Sequence, residues 1–580
     1  MRHWRSAVLP SVVVASLALP AAAQQLTALS VAPNGAFGDF DSASPTVSAD
    51  GRFVAFVSAA RNLVGPEFDL DADVFVADVW NGTLQRASST PSGAEGDGES
   101  YRPSLASSGR FVGFASTATN LTAASTSGLP QVYVRALDAG ATTLVSMNLS
   151  GAGSSGRSEW IDVSDDGRFA AFVSSSGDLI AGDTNSQEDV FVRDLALGIT
   201  TRISLTTSGQ EASWPSGPFS AATCANVDLT ADGRYVAFST IFALATNDTN
   251  AQPDVYVFDR ASGALELVSR AASGALGDGA SFLPQLSADG RWVLFSSQAT
   301  NLVSGDANQV LDVFLRDRAL GALTCVSRNA AGVPVGASNS TEAPARLTSD
   351  ASRCIFSSPS SALVAGDNNG VDDLFLYTRS TGALEIVRPF GIEPNAAMAH
   401  GALSDQGLVA FHTAASNLVA SDLNGRADVF AWAPSVCAPV AYCTSGTSAI
   451  GCVSQLSASG SASLSNCTLQ FVANAVDGQR QGLVFYGISG AVAFPWGASS
   501  SFFCVKGPTQ RTPVQSSGGS VGACNGALAL DFCAFLAANP TALGAPFAVG
   551  DALYTQAWFR DPAGPKSTAL SNGVRAVFCP

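Results

Sequence analysis

The stretch from Ser48 to Phe56, Ser-Ala-Asp-Gly-Arg-Phe-Val-Ala-Phe, occurs in seven related copies along the chain of 580 residues. The copies end on phenylalanines that lie 55 to 66 positions apart: Phe56, Phe114, Phe172, Phe238, Phe295, Phe356 and Phe411. A repeat of this length is one supersecondary unit that cannot bury its faces alone and must stack on its neighbours. The sequence therefore predicts a repeat architecture.

Each copy carries the signals of four short strands. The Asp-Gly turn opens a strand rich in aromatic and β-branched residues, and a second such strand begins at Asp73–Val76. A third follows a glycine turn, as in Gly82–Ser88, and one more precedes the Asp-Gly turn, as at Pro45–Val47. Four antiparallel strands repeated radially form the blades of a β-propeller.

The two ends of the array are complementary. The seventh copy stops after Asp428–Trp432 and lacks its outermost strand, whereas Leu26–Val31 resembles the outermost strand around Leu144–Ser146. An N-terminal strand that completes the last blade would close the ring and hide its edges. We therefore predict an all-β chain: a seven-bladed β-propeller closed by an N-terminal strand, followed by a small disulfide-rich β domain.

The repeated Ser-x-Asp-Gly-Arg-x-Val-Ala-Phe and Asp-Val-Phe-Val pair resembles the WD40-like (PD40) repeats of the TolB-like propeller superfamily, over residues 25–433. The resemblance implies the propeller fold. That superfamily includes periplasmic scaffolds, propeller lids of peptidases and sugar lyases, so the fold alone does not define a function.

The N-terminal residues predict export. Arg2 and Arg5 precede an apolar run, Ala7–Leu19, and small residues at Ala21–Ala23, which together are typical of a signal peptide over residues 1–23. The apolar run is too short to cross a membrane, and no later run is long enough. We expect a secreted or periplasmic monomer with the propeller at 24–434 and a cysteine-rich, β-sandwich-like domain at 435–580. The formal net charge of −17 argues against a nucleic-acid partner.

Cysteines concentrate after the last copy. Eight of the 11 lie there: Cys437, Cys443, Cys452, Cys467, Cys504, Cys524, Cys533 and Cys579. In an exported chain they predict up to four disulfides, whose pairing the sequence leaves open. A zinc site is disfavoured because the segment has no Cys-x-x-Cys pair and no histidine. Gln556–Pro562 and Phe578–Pro580 resemble the cysteine-rich C-terminal modules of secreted bacterial proteins.

An acidic loop precedes the Asp-Val-Phe-Val strand in most copies. Five copies share the pattern Asp-x-Asn-x-x-x-Asp: Asp183, Asn185 and Asp189; Asp248, Asn250 and Asp254; Asp306, Asn308 and Asp312; Asp367, Asn369 and Asp373; Asp422, Asn424 and Asp428. Oxygen ligands at alternate positions suit Ca²⁺, which is the one candidate cofactor of this chain. Alternatively, Asp and Asn side chains hydrogen-bond to the backbone of their own turn. The second copy, with Ser125, Ser127 and Gln131, lacks the pattern.

Polar residues vary along the innermost strand while an apolar neighbour is kept. In a period-2 strand the apolar set packs between blades and the polar set faces the central channel. Four of the polar residues, Asp162, Asp228, Gln285 and Arg346, belong to our predicted ligand-binding set. Arg102 and Trp160, which lie nearby in the sequence pattern, complete it. The alternative is that these side chains only solvate a water-filled channel. The pair His400 and His412, without a third ligand, is more typical of packed residues than of a metal site.

Two functions remain. The first, which we favour, is an exported binding or scaffold protein, not an enzyme and without catalytic residues, that recognises a peptide, protein or glycan. The second is a secreted carbohydrate-active enzyme, a lyase or glycoside hydrolase, with carboxylates at the channel mouth. Only three histidines occur, one of them His3 in the predicted signal peptide, which disfavours acid–base catalysis near neutral pH.

Overall fold

We analysed a computed structural model of the chain. It divides into a unit of residues 25–433, joined by 440–442, and a unit that includes residues 443–580. The residues that the structure describes are 25–65, 71–212, 224–336, 344–433, 440–460, 462, 467–496, 502–547, 551–564 and 567–578. The predicted signal peptide lies outside them.

The first unit consists of seven four-stranded antiparallel sheets, one for each sequence copy, which we number as blades 1 to 7. In blade order, the innermost strands are Ser42–Val47, Ser100–Leu105, Ser158–Val163, Cys224–Leu229, Ser281–Leu286, Arg346–Leu347 and Met398–Leu403. The second strands are Phe53–Ser58, Phe111–Ser116, Phe169–Ser174, Tyr235–Thr240, Trp292–Ser297, Arg353–Ser358 and Val409–Thr413. The third strands are Asp73–Asp78, Gln131–Ala136, Asp189–Asp194, Asp254–Asp259, Asp312–Asp317, Asp373–Thr378 and Asp428–Ala433. The outermost strands are Thr83–Arg86, Ala141–Leu144, Ile199–Arg202, Ala264–Leu267, Ala322–Cys325, Ala383–Ile386 and, in blade 7, Gln25–Ala28.

The predicted closure by an N-terminal strand is confirmed. Gln25–Ala28 pairs antiparallel with the third strand of blade 7, with Gln25 opposite Ala433 and Ala28 opposite Phe430. The contact continues past the strand, because the Ser30 hydroxyl donates to Asp428 over 2.6 Å. The first and last parts of the propeller thus share one blade.

The repeated signature builds the turn between the first two strands. The Ser48 hydroxyl donates to Asp50, and the same carboxylate accepts the backbone N–H of Arg52. The Arg52 guanidinium then pairs with Asp78, at the end of the third strand, over 2.7 Å. The same arginine–aspartate pair recurs at 2.6 to 2.8 Å in three other blades: Arg168 with Asp194, Arg234 with Asp259, and Arg291 with Asp317. The signature arginine therefore ties the turn to the end of the third strand of its own blade.

Aromatic pairs fill the centre of every blade. The phenylalanine that ends each signature stacks on the aromatic residue of the third strand, as Phe56 does on Phe75 at a centroid distance of 5.9 Å. The other six pairs lie at 5.7 to 6.0 Å. The hydrophobic clusters cross blade borders: Val74 of blade 1 packs with Phe114 and Tyr133 of blade 2. No blade buries its own faces alone, as the repeat length predicts.

The second unit has its own sheets. One contains Gln455–Ser459, Gln470–Val476 and Gly526–Asp531, and a larger one contains Thr509–Arg511, Gln481–Gly487, Ala552–Arg560 and Thr568–Val577, with Gln515–Ser516 paired at its side. A hairpin joins Ala491–Pro495 to Phe502–Val505, and a single α-helix among the described residues spans Phe532–Ala538. Both sheets contribute to one core, in which Phe471, Tyr486, Phe532 and Phe559 are buried. The remaining short elements are the strand Val440–Tyr442 and the 3-10 helix Pro389–Gly391.

Three disulfides crosslink the second unit, and they confirm the disulfide-rich C-terminal part. They join Cys443 to Cys504, Cys452 to Cys524 and Cys467 to Cys533. Cys437 and Cys579 lie outside the described residues, and Cys224, Cys325 and Cys354 are buried free thiols of the propeller. Such crosslinks indicate maturation in an oxidising compartment. Within the described ranges, the structure contains no helix with the length and apolarity needed to cross a membrane.

Candidate functional site at the channel mouth

The innermost strands carry a bulge near their start. In six blades the pairing with the second strand shifts there by one residue. The bulge residue adopts a left-handed conformation with φ between 50° and 55°: Ser44, Arg102, Trp160, Asn226, Leu283 and His400. Blade 6 has Pro344 at the equivalent position, and a proline ring fixes φ near −65°. None of the six left-handed residues is glycine, the residue that tolerates this conformation best.

These seven positions, which we call the mouth ring, line a single cavity of about 520 Å³. The mouth ring consists of Ser44, Arg102, Trp160, Asn226, Leu283, Pro344 and His400. Each blade thus places one side chain at the rim, and no two of the seven are the same residue. The ring combines an aromatic, a guanidinium, an amide, an imidazole, a hydroxyl and two apolar side chains.

Blades 2 and 3 form the charged side of the cavity. Glu159 accepts hydrogen bonds from Arg102, from Arg157 and from the Tyr101 hydroxyl, the last over 3.0 Å. The Arg102 guanidinium lies over the Trp160 ring, 3.8 Å from its centroid. Burial alone would raise the pKa of Glu159, but the hydrogen bond from Arg157 and the charge of Arg102 lower it. An ionised Glu159 therefore pairs with Arg102, whose guanidinium lies over the Trp160 ring.

A second, smaller cavity of about 120 Å³ continues below the mouth along the channel. Asp162, Asp228, Gln285 and Arg346 line it. Three of these side chains bridge adjacent blades, because each accepts the backbone N–H of a leucine on the next innermost strand. Asp162 accepts from Leu229 over 2.6 Å, Asp228 from Leu286 over 2.7 Å, and Gln285 from Leu347 over 2.7 Å.

Four charged side chains line this channel: Asp162, Asp228, Asp405 and Arg346. Burial raises the pKa of Asp162, and it raises that of Asp228 further, since the neighbouring charge of Asp162 adds to the effect. Arg346 interacts favourably with both carboxylates. The channel therefore holds proton-binding groups whose pKa values lie above those of ordinary aspartates.

The structure brings the predicted ligand-binding residues together. Arg102, Trp160, Asp162, Asp228 and Arg346 line the larger cavity, and Gln285 lies just below it. Their role in binding stays a prediction. Sequence reasoning missed the other five ring members together with Tyr101, Arg157 and Glu159. The signal that could have found the ring is a single variable column, two residues before the channel-facing position, in an otherwise regular repeat.

The two histidines of blade 7 lie side by side, with ring centroids 5.0 Å apart. Burial, followed by the neighbouring charge of His400, lowers the pKa of His412 to about 4. His412 is therefore uncharged at neutral pH. In the described part of the chain, no group of three or more His, Cys, Asp or Glu side chains converges as a metal-binding cluster.

The asparagines of the acidic loops bind within their own loops. Four of them donate to the last aspartate of the loop over 2.7 to 2.9 Å: Asn185 to Asp189, Asn250 to Asp254, Asn308 to Asp312 and Asn424 to Asp428. Their amide oxygens accept a backbone N–H two residues further on, as Asn185 does from Gln187. Asn369 instead donates to the carbonyl of Pro394. This arrangement supports the turn-bonding alternative for the asparagines.

Neither a protein-family model nor a curated protein matches this chain. Solved structures of similar fold include TolB from Acinetobacter baumannii, at 14% identity and a TM-score of 0.33, over 60% of this chain and 64% of that one. The chain thus spans less than two thirds of that protein. Another is an oligogalacturonate lyase in complex with manganese, at 11% identity and a TM-score of 0.41, over 71% of this chain and 97% of that one. A third is the propeller domain of the Trilobed protease from Pyrococcus furiosus, at 10% identity and a TM-score of 0.40, over 68% of this chain and 95% of that one. The chain is a seven-bladed β-propeller protein with a disulfide-bonded C-terminal part.

These comparisons correct one expectation. The prediction that the protein is not an enzyme, which rested on the scarcity of histidine, is wrong. A lyase and propeller-containing peptidases are among the structures of similar fold. A fold does not by itself imply a function, and the scarcity of histidine does not decide whether this chain is an enzyme.

Proposed function

We propose that this protein is exported and that its mouth ring binds a peptide, protein or glycan ligand. The observation that carries the proposal is the ring itself, with seven different side chains at one equivalent position of an otherwise regular repeat, which is a bulge in six of the blades. Six of them are held in a left-handed backbone conformation.

The backbone geometry at these six positions supports a role in ligand binding. A non-glycine residue in a sparsely populated conformation costs about 1–3 kcal/mol, and such residues cluster at ligand clamps. Glycine would relieve that cost at each of the six positions. A side chain is instead present at every one, and each lines the cavity. This pattern supports a binding surface over a merely solvated channel.

The chemistry of the cavity favours a ligand with both a flat face and polar groups. Trp160 and the Arg102 guanidinium that lies over it, paired with Glu159, form a flat aromatic and cationic surface in the cavity. Asn226 and His400 add donors and acceptors on the rim. The volume of about 520 Å³ lies within the range of small-molecule and short-peptide pockets.

Array screening of the mature protein with glycans and peptides tests the proposal, followed by calorimetry on each hit. We expect Trp160→Ala and Asn226→Ala to weaken binding at least tenfold. Leu197→Ala, at a position that is 65% exposed and away from the cavity, is the matched control and should bind normally. A hit whose affinity is unchanged in both ring variants would place its site elsewhere on the molecule.

Catalysis at the same cavity is the second candidate, and the raised pKa values of Asp162 and Asp228 favour it. A carboxyl group that retains its proton closer to neutral pH can act as a general acid. Each array hit should therefore be incubated with the protein and analysed for cleavage by mass spectrometry. A cleavage product that forms with the unaltered protein and is absent with the Asp228→Asn variant would support an enzyme. Ligand that stays intact with the unaltered protein would support binding without catalysis.

A further inference from the structure

The first aspartate of each acidic loop has a different partner in different blades. In blade 3, Asp183 pairs with Arg202 over 3.0 Å. In blade 4, Asp248 accepts the hydroxyl of Tyr256. In blades 5, 6 and 7, the equivalent aspartates Asp306, Asp367 and Asp422 each have at least one carboxylate oxygen that is buried and, within the described residues, without a hydrogen-bond partner.

Blade 3 indicates what the loop is built to hold. A single nitrogen of Arg202, Nη1, lies 3.0 Å from Asp183 and 3.2 Å from Asp189, and 2.8 Å from Glu211 outside the loop. The two carboxylates of this loop therefore converge on one point, and a positive charge occupies that point. Blade 1 is similar, since Arg86 pairs with Asp73 over 3.1 Å.

The later blades keep the carboxylates but not the arginine. In the strand register, the position of Arg202 opposite Phe191 corresponds to Cys325 opposite Phe314, Ile386 opposite Phe375 and Ala28 opposite Phe430. None of these three side chains carries a positive charge. Asp367 is 6% exposed and Asp422 is 2% exposed, and a buried carboxylate without a partner is costly.

Blade 6 has one basic residue near its loop. Arg388 stands where the other outermost segments carry a serine, but its guanidinium binds the carbonyl of Gly366 and the carboxylate of Glu393. Both oxygens of Asp367 remain without a partner among the described residues. Arg388 therefore does not take the place that Arg202 takes in blade 3.

We propose that blades 5, 6 and 7 each bind one Ca²⁺ ion between the first and last aspartates of the acidic loop: Asp306 and Asp312, Asp367 and Asp373, Asp422 and Asp428. Carboxylates, backbone carbonyls and water are the ligands that this ion takes. Arg202 in blade 3 and the Tyr256 hydroxyl in blade 4 replace the ion. The asparagines orient the last aspartate and are not ligands. Only three of the five loops that share the sequence pattern are therefore calcium sites.

Equilibrium dialysis of the chelator-treated full chain with Ca²⁺ alone, at fixed ionic strength, tests this proposal. We expect three ions per chain, with dissociation constants on the order of 0.1–1 mM, as in extracellular calcium modules. Asp306→Asn, Asp367→Asn and Asp422→Asn should each lower the number by one. Asp183→Asn is the matched control and should leave three.

A reciprocal variant tests the same idea by gain of binding. Arg202→Leu gives blade 3 the residue that blade 4 carries as Leu267, and it frees Asp183 and Asp189 to bind a fourth ion. The melting temperature of the native protein should rise with Ca²⁺ in each case, because the ion binds the folded state. The proposal is overturned if no saturable binding occurs, or if Asp183→Asn loses an ion as the other variants do. A blade whose Asp→Asn variant binds as many ions as the unaltered chain is not a site.

Discussion

The carboxylate of Asp162, in blade 3, accepts the backbone N–H of Leu229, in blade 4, over 2.6 Å. Its other oxygen accepts the Ser104 hydroxyl of blade 2. One side chain therefore links the innermost strands of three consecutive blades. The residue lines the channel, yet its carboxylate oxygens are engaged with the protein itself.

Two substitutions at Asp162 separate its hydrogen bonds from its charge. Asp162→Ala leaves the Leu229 N–H without an acceptor and should reduce the free energy of unfolding by about 1–3 kcal/mol. Asp162→Asn keeps an amide oxygen for that N–H and removes a charge that burial disfavours. We expect its stability at neutral pH to equal or exceed that of the unaltered chain, as measured by urea denaturation. Equal losses in both variants would show that the charge, rather than the hydrogen bond, is what matters.

Closure of the ring by the N-terminal strand predicts that two truncations differ in thermal stability. Removal of residues 1–24 leaves the closing strand Gln25–Ala28 intact and should not change the propeller's thermal stability. Removal of residues 1–31 deletes that strand together with Ser30, the donor to Asp428, and should destabilise the whole ring. Melting curves followed by circular dichroism compare the two. Coincident curves would show that the N-terminal strand is dispensable.

The turn glycines make an inter-blade contact that local turn chemistry does not reveal. A Cβ atom at Gly167 would collide with the ring of Phe111, on the preceding blade, whereas at Gly407 it would meet only the flexible end of Arg353, at 3.0 Å. Both have positive φ, so alanine costs about 1–2 kcal/mol at either. Gly167→Ala should cost about 1–3 kcal/mol more through overpacking. Urea titration of both variants gives the difference, and equal losses would refute the contact.

The fold could be predicted from the sequence because its signals are local and repeated. The Asp-Gly turn, the Asp-Val-Phe-Val strand and the unpaired seventh copy each specify a neighbour in the chain or in the next blade. The channel residues could be placed by strand alternation. Their hydrogen bonds to the next blade could not, because Asp162 and Leu229 are 67 positions apart.

The mouth ring and the acidic loops were harder to predict from the sequence, because they too depend on features outside the local repeat pattern. A bulge breaks the alternation on which strand reasoning depends, so the direction of the bulged side chain itself does not follow from the pattern. The loops of blades 3 and 6 read alike as Asp-x-Asn-x-x-x-Asp. They differ through Arg202 and Ile386, which lie beyond the loop on the outermost strand.

Buried aspartates give the propeller a distinctive dependence on pH. Burial raises the pKa of Asp254 from 3.8 to about 6, although hydrogen bonds from Ser269 and Asn250 oppose the shift. The folded state therefore binds more protons than the unfolded state between about pH 4 and pH 6. Over that window this group lowers stability as the pH rises, and its effect is constant above it. Asp373 and Asp428, also with pKa values raised to about 6, contribute in the same direction.

Asp254→Asn cannot ionise, so the decline in melting temperature from pH 4 to pH 7, measured in chelator, should become shallower. Asp259 is the control of opposite sign, because the hydrogen bond from Arg234 lowers its pKa. Its stabilisation is present above the unfolded-state pKa and is lost as the pH falls. Asp259→Asn should therefore lower stability at neutral pH and leave the slope between pH 5 and pH 7 unchanged. A slope in Asp254→Asn identical to that of the unaltered chain would mean that Asp254 ionises as an ordinary aspartate.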